Sequence, residues 1–243
     1  MSERMRSVRI RRFTDGVSDT LDDLVPAEHT LGITLDGAFV AELSCSHSAL
    51  DALAVGHLLS AGRISHRDGV DVILEDSGEQ TEALVTTVGK AEAQSKTRTH
   101  CASSPVTVDP ETIYENMERL TRDSSLFLAT GAAHCTGFFR KTTAHIIHDD
   151  IARHNTVDRV VGEAHLTGVD LASGTMCTTG RVSSEIALRC LGAGVTILVS
   201  RGAPTHLAVR MADDGGMTLL GFARGRRFNC YTHPHRLQAT PGA

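Results

Sequence analysis

The sequence predicts an α/β protein, α+β overall, in which a smaller N-terminal antiparallel α+β unit precedes a mixed, largely parallel sheet covered by helices. Three observations support this fold class. A two-residue hairpin signal, Asp36-Gly37, joins two alternating runs near the start of the chain. From Ala144 onward, short apolar runs alternate with amphipathic stretches, which favours parallel strands joined by helices. Four of the later apolar runs end in a polar loop that carries an arginine.

Composition places the chain among globular proteins. Its 243 residues suffice for one large domain or two small ones. A net charge of −5 argues against nonspecific binding to nucleic acid or to anionic membranes. No apolar run approaches the roughly 20 residues that span a bilayer, and the basic N-terminus lacks the apolar core of a signal peptide. Glu3 and Asp15 disfavour a mitochondrial presequence, so we expect a cytoplasmic protein.

The N-terminal part predicts an arm followed by a small sheet with one helix. Residues 1–27 are polar and charged and are expected to form a loosely held arm. The hairpin covers residues 29–44, and two further strands are predicted over 70–75 and 82–88. The helix between them has one apolar face, formed by Leu50, Leu53, Ala54, Leu58 and Ala61. Ser48-x-x-Asp51 resembles a capping box for this helix, and Gly62 can end it.

Residues 89–108 have no periodicity and form a long predicted loop at the end of an N-terminal unit of residues 28–108. Cys101 lies in this loop, close in sequence to the basic residues Lys96, Arg98 and His100. A cysteine acts as a nucleophile when it is accessible and when nearby cations favour its thiolate. The alternative is an exposed thiol without function. Packing is the more common role of a cysteine, and it fits Cys177, Cys190 and Cys230.

The remainder of the chain, residues 109–243, predicts an α/β domain. Its first helix has Asp109 as the N-cap and Pro110 in the first turn. Residues 127–139 resemble a strand, a glycine-rich turn and a second element. Further strands are predicted near residues 144–148, 175–179, 195–200, 217–223 and 227–232. The helices between them are predicted near residues 155–166, 182–192 and 204–213.

The arginine loops are the main functional signal in the sequence. They carry Arg153, Arg181, Arg201 and Arg224. Loops that follow parallel strands leave from one edge of the sheet, where α/β proteins bind their ligands. Because a guanidinium group matches phosphate oxygens in a bidentate manner, the pattern predicts an anion site for phosphates.

Two of these loops have additional features of a phosphate site. Residues 180–185 precede a predicted helix, whose N-terminal N–H groups favour anions, although Ser183 or Ser184 can also cap that helix. The second loop is Phe222-Ala223-Arg224-Gly225-Arg226-Arg227. Its glycine allows close approach of the backbone to a ligand, and its arginines can neutralise a diphosphate. The alternative is that these arginines form a charged cluster on the protein surface without binding a ligand.

The polar cluster over residues 149–158 has a structural interpretation as well. Asp150 and Asn155 can cap the following helix, and Arg153 can pair with Asp158. A zinc deaminase mechanism is excluded, because it needs a P-C-x-x-C segment and the chain has none. The cysteines also lack the spacing of zinc ligands. We therefore expect no catalytic or structural metal.

Several segments resemble successive signature blocks of the FdhD/NarQ family, the formate dehydrogenase accessory sulfurtransferases. They are DDIARHNTVDRVVG, SGTMCTTGRVSSEIALRC, VTILVSRGAPTHLAV and GFARGRRFNCYTHPHRL. LATGAAHCTG and LDALAVGHLLSAGRI resemble two further blocks, so the similarity runs from about residue 28 to 237.

The resemblance implies a fold, a function and a set of partners. The fold would have a three-layer α/β/α deaminase-like core without zinc. The protein would receive sulfur from a cysteine desulfurase as a persulfide on Cys101. It would pass the sulfur to bis-molybdopterin guanine dinucleotide before this cofactor enters formate dehydrogenase. The loop of residues 222–227 would bind the cofactor, with GDP as a mimic, and the protein would be a homodimer.

One departure from the family concerns the cysteine loop. The family usually has C-x-x-C-G there, whereas this chain has Cys101-Ala102-Ser103-Ser104-Pro105. A single thiol can carry a persulfide but cannot form an internal disulfide with Ser104. Ala152 is a lesser departure, since the family pattern has glycine there.

Two alternatives to the sulfur carrier remain at this point. The protein could be a chaperone that binds the molybdenum cofactor or a guanine nucleotide without transferring sulfur. It could also be a small-molecule enzyme that uses His134 or His154 as a general base. His134 also has roles that need no catalysis, because it can form a hydrogen bond to a ligand or cap the N-terminus of a helix.

Overall fold

The computed structural model describes residues 4–88 and 105–238. These residues form twelve strands in three sheets, together with six α-helices. The strands are β1 (Met5–Thr14), β2 (Val17–Pro26), β3 (His29–Leu35), β4 (Ala38–Cys45), β5 (Gly69–Asp76), β6 (Gln80–Val88), β7 (His134–Arg140), β8 (Thr143–Asp150), β9 (Thr175–Thr178), β10 (Ile197–Ser200), β11 (Thr218–Arg224) and β12 (Arg227–Thr232). The helices are α1 (Leu50–Ser60), α2 (Pro110–Arg122), α3 (Ser125–Thr130), α4 (Arg153–Thr167), α5 (Ser184–Gly192) and α6 (His206–Asp214). Within the described residues, no helix has both the length and the apolar character needed to cross a membrane.

The N-terminal residues form a β-hairpin, which the polar and charged sequence of residues 1–27 did not predict. β1 and β2 pair antiparallel from Met5 opposite Pro26 to Thr14 opposite Val17. Their turn is Asp15-Gly16, with φ angles of 51° and 82°, which is the kind of turn that hairpins favour. Most side chains of the hairpin are exposed. The buried stripe that usually identifies a strand is thus missing from this part of the sequence.

The second sheet contains β3 to β6 in the order β4-β3-β6-β5. The predicted Asp36-Gly37 turn between β3 and β4 is confirmed, with φ angles of 48° and 81°. β5 and β6 also lie where the sequence predicts strands. The sheet is not wholly antiparallel, because β6 pairs parallel to β3. α1 connects the two hairpins across the sheet and allows this pairing.

The third sheet has six strands in the order β12-β11-β10-β9-β7-β8. β9, β10 and β11 are parallel, whereas β7 is antiparallel to both of its neighbours and β12 is antiparallel to β11. The mixed sheet is confirmed, but its parallel part is smaller than predicted, because tight turns rather than helices join β7 to β8 and β11 to β12. Since one reversed strand separates β8 from β9, the strands β8, β9, β10 and β11 all run in the same direction.

Helices cover both faces of the six-stranded sheet, which confirms the three-layer α/β/α core. α2 packs on one face through Ile113, Met117 and Leu120. On the opposite face, residues such as Met176 and Leu198 pack in one core with α4, α5 and α6. The same core continues through α1 to the four-stranded sheet. The helices α4, α5 and α6 begin and end within two residues of their predicted limits.

Two glycines allow α1 and α4 to cross closely. A Cβ atom at Gly56 would overlap the carbonyl oxygen of Asp158, and one at Gly162 would overlap that of Ala52. Both glycines are buried in the middle of their helices. This contact joins the four-stranded sheet, through α1, to the helices on the six-stranded sheet.

The structure corrects two local predictions and confirms two others. Ser48 does not cap α1, whose N-cap is Ala49 with no side-chain hydrogen bond. The start of the 127–139 run, expected to be a strand, belongs to α3, because Leu126 donates its N–H to the Asp149 carboxylate (2.9 Å) and thereby starts a helix. The predicted cap of α2 is confirmed, since Asp109 accepts a hydrogen bond from the N–H of Thr112 at 2.9 Å. Gly62 follows the last turn of α1 with a φ of 66°.

Candidate functional site

Four arginine loops lie side by side at one edge of the six-stranded sheet, and we call this edge the arginine rim. Arg153, Arg181, Arg201 and Arg224 follow or end the strands β8, β9, β10 and β11, which share one direction. The prediction that these loops share an edge is therefore confirmed.

Neighbouring loops of the arginine rim contact one another. The position of a Cβ atom on Gly180 lies 3.0 Å from Cβ of Arg153, and that on Gly202 lies 3.0 Å from Cα of Arg181. Arg224 donates from Nε to the carbonyl oxygen of Arg201 at 3.0 Å. The loops thus form one continuous surface. Bringing cationic side chains together in this way costs electrostatic energy, which an anionic ligand would offset.

Helix N-termini add to the positive potential of the arginine rim, because α4, α5 and α6 each begin just after one of its loops. Thr205 caps α6 by accepting from the N–H of Ala208 at 3.3 Å. Ser183, the N-cap residue of α5, makes no such bond, and its buried Oγ has no hydrogen-bond partner among the described residues. Nε of Arg153 is also buried and without a partner there. An anion bound at this position would accept hydrogen bonds from the Ser183 hydroxyl and from Nε of Arg153.

His134 lies between Arg153 and Arg181, at the first residue of β7. Burial lowers the pKa of His134 below its ordinary value of 6.5, and the charges of Arg153 and Arg181 lower it further. Its Nδ1 lies 3.5 Å from Oγ1 of Thr179. A neutral imidazole between two guanidinium groups can accept a proton when an anion arrives and offsets the neighbouring charge.

The loop of residues 222–227 lies at the arginine rim, where β11 turns into β12. Phe222 and Gly225 have positive φ angles of 54° and 56°, which accompany a bulge and a tight turn. Arg226 does not point to the other arginines. It binds the Glu111 carboxylate through both terminal nitrogens, one at 2.9 Å, and stacks on the ring of Tyr114 at 5.2 Å.

A cavity of about 460 Å³ lies between α2 and this loop. Arg201 and Arg224 contribute to its wall from the sheet edge, and Tyr114 and Met117 contribute from α2. A planar apolar group can therefore occupy a space next to the arginine rim. Binding by residues 222–227 stays a prediction.

The cluster over residues 149–158 is mainly structural. The Asp150 carboxylate is fully buried and pairs with the equally buried Arg159 at 2.7 Å. It also accepts from the N–H of Ser46 (2.9 Å) and of Ala152 (2.8 Å). The predicted pair between Arg153 and Asp158 is wrong, because Asp158 pairs with Arg189 at 2.9 Å.

Sequence reasoning missed Arg159. Its Nη1 donates to Oγ of Ser46 (3.0 Å) and Oγ of Ser48 (2.7 Å), and its Nη2 donates to the carbonyl oxygen of Ser46 (2.6 Å). These partners lie more than a hundred residues earlier in the chain. No local pattern could have indicated the contact.

Burial disfavours the thiolate form at three cysteines of the described residues. Burial raises the pKa of Cys45 and of Cys135 to about 12 and also raises that of Cys177. Cys190 is buried on α5, as expected. The prediction that Cys230 packs in the interior is wrong, since it lies in β12 but is exposed. Cys101 lies outside the described residues.

The described residues that flank residues 89–104 lie away from the arginine rim. Val106 lines a cavity of about 650 Å³ together with Arg140 and Ser173, at the end of β7 and just before β9. Val88 ends β6, which runs parallel to β3, and β3 begins with His29 opposite Cys45. Ser46, the residue after Cys45, binds Asp150 near the arginine rim. The starts of β3 and β6 therefore lie at the end of the four-stranded sheet that is nearer to the rim. Val88 is the last residue of β6 and so lies at the opposite end.

The sequence matches the FdhD/NarQ family over residues 26–238. Sulfur carrier protein FdhD of Bacillus subtilis is 26% identical over 261 residues, which cover 98% of this chain and all of that protein (100%). The proteins of the same name from Wolinella succinogenes and Bacillus licheniformis are each 30% identical. They cover 89% and 96% of this chain, and 83% and 97% of their own lengths, respectively.

A crystal structure gives the same result for the fold. The protein is a proposed formate dehydrogenase accessory protein from Desulfotalea psychrophila, and it superposes with a TM-score of 0.84 at 22% identity. The alignment covers 96% of this chain and 99% of that one. Since the family match spans most of the sequence, and the predicted signature blocks lie within it, the chain belongs to the FdhD/NarQ family.

Proposed function

We propose that this protein is a sulfur carrier for the maturation of formate dehydrogenase in the cytoplasm. It receives sulfur from a cysteine desulfurase as a persulfide on Cys101 and delivers it to bis-molybdopterin guanine dinucleotide. The cofactor then enters formate dehydrogenase. The arginine rim is the observation that carries this proposal, because the substrate has two diphosphate groups that require cationic partners.

The described residues fit such a substrate. A phosphate oxygen near the N-terminus of α5 could accept hydrogen bonds from the backbone there and from the buried Oγ of Ser183, which has no partner within the described residues. Arg153 and Arg181 flank this position. Arg201 and Arg224 continue the row towards the cavity of about 460 Å³, which can take a flat ring against Tyr114. GDP offers the same diphosphate and ring and serves as the probe.

The sulfur steps balance with Cys101 as the single carrier thiol. Its thiolate attacks the outer sulfur of the desulfurase persulfide, and the desulfurase cysteine leaves as a thiolate. Delivery of that sulfur as sulfide needs two electrons. Ser104 cannot provide them by forming a disulfide, so a pair of external thiols becomes a disulfide while Cys101 returns to its thiol form.

Intact-mass spectrometry tests the carrier role. The protein is incubated with a cysteine desulfurase and free cysteine, then compared with the Cys101→Ala variant. We expect a mass gain of one sulfur atom in the wild type and none in the variant. Cys230→Ala, which removes an exposed thiol on β12, is the matched control and should still gain the sulfur. A gain that persists without Cys101 would contradict the proposal.

Ser104 favours a second function, in which the protein binds the cofactor or a guanine nucleotide as a chaperone and transfers no sulfur. The two functions differ in the outcome of the same experiments. A chaperone would bind GDP at the arginine rim, would gain no sulfur from the desulfurase, and would support formate dehydrogenase activity equally well as Cys101→Ala.

A further inference from the structure

Four buried hydroxyl groups lie directly beneath the arginine rim. The register places Thr136 of β7, Thr178 of β9 and Ser200 of β10 side by side. Thr156 of α4 packs against them from the helix layer, with its Oγ1 2.7 Å from that of Thr136. Each of the four residues is at most 2% exposed. We call them the hydroxyl row. Because a hydroxyl group is costly to bury without a partner, the partners show what the row connects.

The hydroxyl row joins the loops that follow β8 and β9. Thr136 donates to Oγ1 of Thr178 at 2.9 Å, and Thr178 accepts from the N–H of Gly180 at 3.3 Å. At the other end, Oγ1 of Thr156 lies 2.8 Å from the carbonyl oxygen of Arg153. The contacts therefore form a continuous path from one arginine loop to the next, across the strand β7 that separates them.

Ser200 extends this path to the loop that follows β10. Its Oγ donates to the carbonyl oxygen of Gly180 at 2.6 Å and accepts from the N–H of Gly202 at 2.9 Å. The carbonyl oxygen of Gly202 in turn accepts from the N–H of Phe222 at 3.0 Å, in the loop that ends β11. Gly180 and Gly202 each adjoin an arginine of the rim, so one side chain fixes the separation of two arginine loops.

The hydroxyl row acts on a ligand only through the loops above it, because its side chains are buried. A ligand with one phosphate can be bound by one arginine loop, whatever the position of the next. A diphosphate that contacts two loops gains its second contact in full only when the loops are held at a matching separation, since a fixed geometry lowers the cost of binding.

We infer that the hydroxyl row is a set of positioning residues that makes the arginine rim selective for a diphosphate over a single phosphate. Thr136 sets the separation of the loops of Arg153 and Arg181, and Ser200 sets that of the loops of Arg181 and Arg201. The inference rests on the proposed cofactor site at the arginine rim. It adds that the rim recognises the diphosphate as one unit bound between two loops.

The ratio of the affinities for GDP and GMP tests the inference, because the two nucleotides differ by one phosphate. Isothermal titration calorimetry should show that the wild type binds GDP more tightly than GMP. Thr136→Val replaces the hydroxyl with a methyl group of similar size and should weaken GDP binding about tenfold and GMP binding less than about threefold. Ser200→Ala should have the same effect. Thr136→Ser keeps the hydroxyl and should keep the wild-type ratio.

Thr196→Val is the matched control. Thr196 is a buried residue just before β10, at the opposite edge of the sheet, and its Oγ1 donates to the carbonyl oxygen of Ala172 at 3.3 Å. The variant should lower the unfolding midpoint, as Thr136→Val does, and leave the ratio of affinities unchanged. Circular dichroism identifies a Thr136→Val variant that fails to fold, and Ser200→Ala then provides the comparison.

The outcomes separate this inference from the proposed function. Equal losses for GDP and GMP, a wild-type ratio in both Thr136→Val and Ser200→Ala, or a ratio that falls equally in Thr196→Val would each overturn the inference and leave the cofactor site in place. A wild type that binds neither nucleotide would overturn the cofactor site itself, and the inference with it.

Hydrogen exchange measures the positions of the loops directly. The amides of Gly180 and Gly202 donate to the hydroxyl row, whereas the amide of Gly215 donates to Met211 at the end of α6. We expect faster exchange at Gly180 in Thr136→Val and at Gly202 in Ser200→Ala, with no change at Gly215. Unchanged exchange at both loop glycines would mean that the loops keep their positions without the hydroxyl row, and would overturn the inference.

Discussion

Two arginine–carboxylate pairs in this protein have the same chemistry and opposite surroundings. Arg159 and Asp150 are both 0% exposed and lie 2.7 Å apart between the two larger sheets. Arg226 and Glu111 lie at the edge of the arginine rim and are 71% and 48% exposed. A buried pair cannot lose one partner without leaving a charge in the interior, whereas an exposed pair exchanges readily with water. The first therefore maintains the architecture, and the second is available to a ligand.

The largest effect is expected for the buried pair. Asp150→Asn leaves the Arg159 guanidinium without its counter-charge and should lower the free energy of unfolding by about 3–5 kcal/mol. Urea denaturation followed by circular dichroism measures the change. Glu111→Gln removes the carboxylate of the exposed pair and serves as the control, with little change in the unfolding midpoint. Equal losses in both variants would remove the distinction between the two pairs.

The next effect concerns ligand binding at the arginine rim. Arg224→Ala should weaken GDP binding by about 1.5–3 kcal/mol, because it removes a charge-assisted hydrogen bond to phosphate. Isothermal titration calorimetry measures the affinity, and Arg210→Ala on α6 is the matched control. Arg226→Ala should have a smaller effect than Arg224→Ala, because Arg226 already binds Glu111. If Arg224→Ala and Arg226→Ala each cost less than about 0.5 kcal/mol of binding free energy, GDP binds elsewhere.

The buried pair also depends on the close approach of α1 and α4, since Ser46 and Ser48 precede α1 and bind Arg159. Gly162→Ala should destabilise the fold by about 1–3 kcal/mol, because its Cβ atom would overlap the backbone of α1. Thermal unfolding measures the effect. Gly192→Ala at the end of α5 has open space around it and should be neutral or slightly stabilising. A neutral Gly162→Ala would show that the helices can separate at little cost.

His134 tests whether the rim behaves as a cationic site in solution. Its pKa should lie below 6.5, since burial and the two neighbouring arginines oppose its protonation. The unfolded chain then binds more protons than the folded one, so the contribution of His134 to stability falls as the pH drops below 6.5. NMR titration, with His134→Gln for assignment, should show a midpoint that rises when GDP is added. A midpoint that GDP leaves unchanged would separate His134 from the ligand.

The smallest effect is expected for the exposed pair itself. Glu111 competes with a ligand phosphate for Arg226, so Glu111→Gln should tighten GDP binding by about two- to fivefold. Higher salt should reduce this difference, because both interactions are screened. The measurement is the Kd for GDP at low and high ionic strength. Weaker binding in the variant would mean that Glu111 supports the ligand rather than competing with it.

The sequence predicted the parts of the fold that depend on local patterns. Asp36-Gly37 and the cap at Asp109 are both confirmed, and the arginine rim follows from the strand–loop–helix repeat. Contacts between distant segments could not be predicted in this way. The burial of Arg159 depends on Ser46 and Ser48, and α3 forms because Asp149 accepts from Leu126. The ion pair between Arg226 and Glu111 could not be predicted either, because it depends on the fold bringing the turn after β11 next to α2.

The reversed strand β7 leaves no gap in the arginine rim. The position of a Cβ atom on Gly180 lies 3.0 Å from Cβ of Arg153, as close as the one on Gly202 comes to Cα of Arg181, so the loops after β8 and β9 meet across the start of β7. The arginine-bearing loops therefore form an uninterrupted row along the sheet edge. Negative groups spread along an elongated molecule match such a row better than one small anion does.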